Sequence, residues 1–247
     1  MGFALTFKGS TFSLQITGSG KMKKIFGIGF SIFMMLSVFL ITSVVAGPVI
    51  FDNGLPDYLN GYASDIHTTS KVADDFILLE GSNTIADIHW WGIYGTAATN
   101  TPPDIDDFTI RFYITNPDTG EPAADYLEEI LVGNNVNREG TGEFISKVHD
   151  YEVFSYWVDI DPLVLDADTQ YWLTIINDTT SDSDDYWFWA TSSYETGNGL
   201  WRYADEPWQG TNSEFAFQLT AVPEPSTLLL LGTGLIGLAG FRRKLRN

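Results

Sequence analysis

DFTIRFYIT, Asp107 to Thr115, sets Phe108, Ile110, Phe112 and Ile114 on one side of an extended chain and Thr109, Arg111, Tyr113 and Thr115 on the other. Side chains alternate across a strand at period two, so the stretch reads as a β-strand with one face on a core. EFAFQLT (Glu214 to Thr220) repeats the pattern with Phe215, Phe217 and Leu219. YEVFSYWVDI (Tyr151 to Ile160) and QYWLTIIN (Gln170 to Asn177) are apolar on both sides, as central strands of a covered sheet are. DDFILLE (Asp74 to Glu80), TIADIHWWGIY (Thr84 to Tyr94) and YWFWAT (Tyr186 to Thr191) add three strands, with weaker ones near residues 49–51, 129–132 and 200–203. Turn signals stand between them at Asn53-Gly54, Asn60-Gly61, Pro102-Pro103-Asp104, Asn116 to Gly120 and Asn198-Gly199. AADYLEEILV (Ala123 to Val132) is the sole helix candidate, and its apolar spacing is poor. About nine strands predict an all-β domain over residues 47–221, an antiparallel β-sandwich of jelly-roll-like type.

The totals fit such a domain. The chain has 247 residues, no cysteine, and 32 Asp+Glu against 13 Lys+Arg. Between residues 47 and 222 stand 31 of the acids and only five basic residues: Lys71, Arg111, Arg138, Lys147 and Arg202. A surface this acidic repels phosphate backbones, which excludes nucleic acid as a partner. All eight Trp lie between Trp90 and Trp208, a content that argues for a packed core and against disorder. Without cysteine, neither disulfides nor a thiol nucleophile are available.

The two ends read as addresses. From Met22, Lys23 and Lys24 precede an apolar run, Ile25 to Val45, that closes on Val44-Val45-Ala46. This is the plan of a signal peptide over residues 22–46, cut by signal peptidase after Ala46. An uncleaved anchor is the alternative, because the run is long. Residues 1–21 have no charged n-region of their own and read as a start-site artefact or a disordered leader. At the other end, Ser226 to Phe241 forms 16 uncharged residues followed by Arg242, Arg243, Lys244 and Arg246. A helix of that length spans about 24 Å, short for a membrane core. The basic end would stay cytoplasmic and the body outside, in agreement with the signal peptide.

Val222-Pro223-Glu224-Pro225, a short Leu/Gly-rich helix and an Arg-rich end together resemble the PEP-CTERM sorting signal over residues 222–247. The resemblance implies handling by an exosortase, a membrane transpeptidase of Gram-negative bacteria that make exopolysaccharide, with Pro223, Glu224 and Pro225 as the recognition element. An ordinary single-span anchor is the alternative. The body, in VADDFILLEGSNTIADIHWWGIY, DFTIRFYITNPDTGEPA, QYWLTIINDT, YWFWATS and EFAFQLTAVPEP, resembles a β-sandwich module found ahead of this tail, for which no activity is implied. The chain would be anchored transiently in the inner membrane and then pass to the cell surface or be secreted.

Chemistry is harder to find. No G-x-S-x-G elbow is present, and His67, His89 and His149 lack metal spacing. His89, beside Trp90, reads as a half-buried strand residue. Paired carboxylates could serve a glycosidase, but Asp74-Asp75, Asp104 with Asp106-Asp107, Glu128-Glu129 and Asp184-Asp185 are too many to single one out. Calcium is the cofactor candidate. Asp178, Asp182, Asp184 and Asp185 crowd one loop between two strong strands, without EF-hand spacing, and a solvated acidic loop is the rival reading. DIDPLVLDAD (Asp159 to Asp168) is a second acidic connection. The aromatics suggest sugar stacking through Trp91, Trp187, Trp189, Trp201 and Trp208, against the simpler reading that they fill the core. The expected function is a non-catalytic matrix or surface protein associated with exopolysaccharide. A secreted carbohydrate-active enzyme and a purely structural matrix component stay open.

Overall fold

Phe108, the first apolar residue of the opening stretch, sits within the buried aromatic core. Its ring lies 5.3 Å from Trp90, 5.1 Å from Tyr156 and 5.1 Å from Trp187. The computed structural model describes residues 47–95, 102–145, 151–181, 185–194 and 197–221. The expected signal and tail helices lie outside them. The described residues are all-β: β1 (Val49–Asp52), β2 (Pro56–Ala63), β3 (Ser70–Ile77), β4 (Thr84–Gly95), β5 (Phe108–Ile114), β6 (Glu128–Gly133), β7 (Asn137–Ile145), β8 (Tyr151–Val164), β9 (Gln170–Asn177), β10 (Tyr186–Ser192), β11 (Leu200–Tyr203), β12 (Gln209–Gly210) and β13 (Phe217–Thr220).

The strand pairs nest. β1 pairs β13, β2 pairs β10, β3 pairs β9, β4 pairs β8 and β5 pairs β6, all antiparallel. One sheet runs β1-β13-β4-β10-β2, with β8 and then β7 on the other edge of β4. The second runs β12-β11-β3-β9-β5-β6. β4 is long enough to hold two partners along one edge: β13 at Asp87 to Trp90, and β10 at Gly92 to Gly95. The two sheets face each other across one core. Phe76, Phe108 and Phe112 from the second sheet interlock with Trp90, Tyr156, Trp187 and Phe217 from the first. Each such aromatic pair adds about 0.5–1.5 kcal/mol beyond its buried area.

Alternation places these side chains, and irregularities correct it where needed. Ile85 and Ile88 have opposite parity in β4, yet both are core residues. A register shift between Ile85 and Asp87 makes this possible, because a bulge moves later residues to the opposite face. β9 is buried on both faces, as its sequence suggested.

Three expectations need correction. Asn60-Gly61 is not a turn but lies within β2. A Cβ on Gly61 would stand 3.1 Å from the Trp189 carbonyl oxygen, so the glycine lets β10 approach closely. The helix candidate Ala123 to Val132 instead contributes β6, because Glu128 to Gly133 pairs with β5. Ile114 is half exposed instead of core.

Candidate functional site

The first sheet presents an outer face as well as a core face. His89, Trp91 and Ile93 point outward from β4, since Ile88 and Trp90 point inward. Across the ladder they meet Trp157, Ser155 and Val153 of β8. The His89 and Trp157 rings stack at 6.3 Å, and His89 Nε2 is held 2.7 Å from Asp87 Oδ1. Farther along the same face, Trp91 packs with Tyr58, Tyr151 and Phe188 around Ile93, Ile145, Val153 and Ala190. Trp91, Trp157, Tyr58, Tyr151 and Phe188 are all partly exposed. Gly95 makes room for this row, since a Cβ there would lie 2.6 Å from the Tyr151 ring. Beneath these partly exposed rings Ile93, Ile145, Val153 and Ala190 are buried.

The five tryptophans named from sequence separate accordingly. Trp91 belongs to this face. Trp187 and Trp189 are fully buried in the core, and a buried indole has no face to offer a sugar ring. Trp201 packs half-buried against the core, and Trp208 lies on the second sheet against Arg202, 4.4 Å from its ring centre. Trp157, Tyr58, Tyr151 and Phe188 were not singled out. The signal was available for Trp157, whose parity in YEVFSYWVDI is opposite to that of Tyr156.

The described residues bring three carboxylates together at Asp74, Asp75 and Glu214, with one oxygen from each within 4.8 Å of the others. These residues could hold a cation. Asp74 is fully buried. Its Oδ2 accepts hydrogen bonds from Asn53 Nδ2 (2.8 Å) and the Phe215 amide (2.5 Å), and its Oδ1 from the Asp75 amide (2.9 Å). Burial, then contact with the Glu214 carboxyl, pushes Asp74 well above the usual carboxylate range. Asp75 is raised too, by burial first, while Gln170 Nε2 donates to it at 2.7 Å. A carboxylate has about four acceptor positions. Three on Asp74 are taken by N–H groups and the remainder faces Glu214, so a shared proton fits better than a metal that wants six to eight oxygens.

The calcium residues proposed from sequence stand elsewhere. Asp182 and Asp184 lie outside the described residues. Asp178 Oδ1 accepts from the Thr180 amide at 3.0 Å and closes its own turn, while Asp185 is buried just before β10. His67 meets Tyr186 edge-on at 5.0 Å. His149, the motif Val222 to Pro225 and the basic residues Arg242, Arg243, Lys244 and Arg246 lie outside the described residues.

A second buried polar group ties the sheets together. Arg138 Nη1 donates to Asp106 Oδ1 at 3.1 Å and Nη2 to the Pro103 carbonyl at 3.0 Å. The Tyr94 hydroxyl donates to the same carboxylate, and Asn177 Nδ2 donates to the Tyr94 oxygen at 2.6 Å. All of these groups are mutually satisfied, which marks the cluster as structural.

Residues 51–226 match a family described as a domain of unknown function, DUF7901. The chain belongs to the DUF7901 family. Residues 221–244 match the PEP-CTERM protein-sorting motif, so this DUF7901 protein carries the sorting signal of an exported protein that passes through a membrane-anchored stage and is processed by exosortase. No curated protein and no solved structure matches the chain.

Proposed function

We propose that the DUF7901 body, a jelly-roll-like sandwich, serves at the cell surface or in the extracellular matrix as a non-catalytic module that contacts exopolysaccharide, after signal peptidase and exosortase have processed the ends. The observation that carries the reading is the half-exposed aromatic row of Trp157, His89, Trp91 and Phe188 on the outer face of the first sheet. Aromatic faces stack on the C–H faces of sugar rings, and a run of partly exposed rings offers a surface to successive sugars of a polymer. The nested pairing is what a long hairpin rolled into two sheets produces, which supports the jelly-roll reading. Against catalysis, Asp74 is sealed from solvent and saturated with donors, so it cannot reach a glycosidic bond.

Co-sedimentation of the full chain with polysaccharide from the producing bacterium tests this. Wild type should sediment with the polymer, and a Trp91→Ala/Trp157→Ala variant with unchanged far-ultraviolet circular dichroism should stay in solution. Equal sedimentation of both would sink the proposal.

A further inference from the structure

The outer face of the second sheet gathers cations in a domain that has almost none. Lys71 in β3 and Arg202 in β11 are direct cross-strand partners. Arg111 in β5 stands on the same face and, with Lys71, lines a cavity of about 390 Å³. Three of the five basic residues between positions 47 and 222 therefore converge, although 31 acids were available to separate them. Like charges placed directly opposite on a sheet are destabilising. Arg111 is paired through Nε to Glu129 Oε2 at 2.6 Å, Arg202 lies 4.4 Å from the Trp208 ring centre, and the Asp205 charge offsets part of that of Lys71. Among the described residues Lys71 has no ion pair, and the buried Arg202 Nε has no hydrogen-bond partner. Burial first, then the Arg202 and Arg111 charges, hold the Lys71 ammonium below its usual range.

The rim is fixed in a strained shape. Thr69 (φ 56°) and Ala204 (φ 48°) both occupy the left-handed region, and the Ala204 amide donates to the Thr69 carbonyl at 2.7 Å. Such conformations cost roughly 1 kcal/mol or more each in a non-glycine residue and cluster where a ligand is gripped. Behind them Asp65 is fully buried and accepts from the Trp187 amide, the His67 amide and Thr179 Oγ1, which commits its charge to the framework. The cavity wall supplies hydroxyls from Ser70 and Thr109, the carboxylate of Asp205, and an apolar floor at Ile176.

We propose that this cavity receives the carboxylate of a single uronic acid residue in an otherwise neutral stretch of polysaccharide, since the acidic surface around it repels a dense polyanion, with the Lys71 ammonium as its direct counter-charge. The volume falls in the range of small-ligand pockets. One lysine without an ion pair suits a single negative charge, and the Asp205 carboxylate works against a doubly charged phosphate while accepting hydrogen bonds from sugar hydroxyls. Ile176 offers the surface a ring's C–H face needs. The anion half of the inference rests on the cation cluster alone; the saccharide half rests on the polysaccharide reading above.

Calorimetric titration of the full chain with trisaccharides that carry one galacturonate or glucuronate residue, their neutral hexose counterparts and inorganic phosphate tests it. A uronate trisaccharide should bind, weaken on the order of tenfold in Lys71→Gln, and be restored in Lys71→Arg, since a charge-assisted hydrogen bond contributes about that much. Without ligand, Lys71→Gln should melt no lower than wild type, because it removes cross-strand repulsion. Undiminished binding in Lys71→Gln, a clear loss of its unliganded stability, or phosphate binding as tightly as uronate would each overturn the proposal. If uronates fail while the Trp91/Trp157-dependent sedimentation holds, only this inference falls; if both fail, the polysaccharide reading falls with it.

Discussion

The Trp187 indole lies against the backbone of Gly92, so close that a Cβ on Gly92 would stand 2.5 Å from Trp187 Nε1 and 2.6 Å from two ring carbons. The indole is fully buried and touches Phe108 and Tyr156, so it cannot retreat. Gly92→Ala is therefore expected to destabilise the protein by about 1–3 kcal/mol, the usual penalty for overpacking a dense core. Gly210→Ala, which meets nothing within 4 Å and needs no left-handed backbone, is the matched control. Urea midpoints measure the difference. Equal midpoints for the two variants would show that the sheet slides to make room.

Arg138 and Asp106 form a partly buried ion pair that also binds a loop, because the second guanidinium nitrogen reaches the Pro103 carbonyl. The Arg138 side chain also lies over the Tyr94 and Phe154 rings at 5.9 and 5.6 Å. Removing it would strand a carboxylate that burial already holds above its normal range. Arg138→Met is expected to cost about 3 kcal/mol. The double variant Arg138→Met/Asp106→Asn should recover part of that loss, because no bare charge is then left inside. Thermal melts of the three proteins decide it: no recovery would mean that the packing of Arg138, not its charge, matters.

The tail predicts behaviour in the cell. Pro223, Glu224 and Pro225 to Ala should leave the chain uncleaved at its C-terminal end and held in the inner membrane, while wild type leaves it. Immunoblots of membrane and external fractions report this directly. The mature N-terminus should be Gly47, and a chain that keeps Lys23 and Lys24 would point to an anchor instead of a signal peptide.

Local pattern carried much of the fold, because strict alternation in stretches such as DFTIRFYIT leaves little choice of structure or face. It failed where tertiary packing overrode it. β2 contains Pro56, Asn60 and Gly61, turn residues by chemistry, and is a strand only because β10 lies against Gly61. β7 carries Gly140 and Gly142 and is largely polar and exposed, as an edge strand can be. β6 reads like a broken helix until β5 supplies hydrogen bonds. Site residues were less legible for a related reason. Asp74 meets the Phe215 amide across 141 residues, and Lys71 meets Arg202 only through ladder register. No spacing within a single stretch encodes either meeting. Trp187 and Trp189, conspicuous in sequence, were conspicuous because they are core.

Acid should stabilise this protein up to a point that Asp74 largely sets. Asp74, Asp65, Asp75 and Asp106 are each raised above the ordinary aspartate value of 3.8, and burial is the first cause in every case. A carboxyl raised in the folded state holds its proton where the unfolded chain has released it. The folded state then binds more protons, and stability falls as pH rises from about 4 through the folded-state values. Self-repulsion among the acids adds to the same slope. The melting temperature is expected to be higher at pH 5 than at pH 8. Asp74→Asn removes the charge: its amide can donate to Glu214 while its oxygen still accepts from Asn53 and the Phe215 amide, and only the Asp75 amide loses its acceptor at Oδ1. This variant should fall below wild type at pH 5, where the lost acceptor is the main change, and show a flatter profile up to pH 8. With a proton joining Asp74 to Glu214, the difference between wild type and Asp74→Asn should not change with excess calcium or a chelator; a calcium effect common to both proteins would belong to the loop of Asp178 and Asp185. An unchanged pH slope in Asp74→Asn would remove the shared proton, and a chelator effect seen in wild type but lost in Asp74→Asn would put a cation in its place.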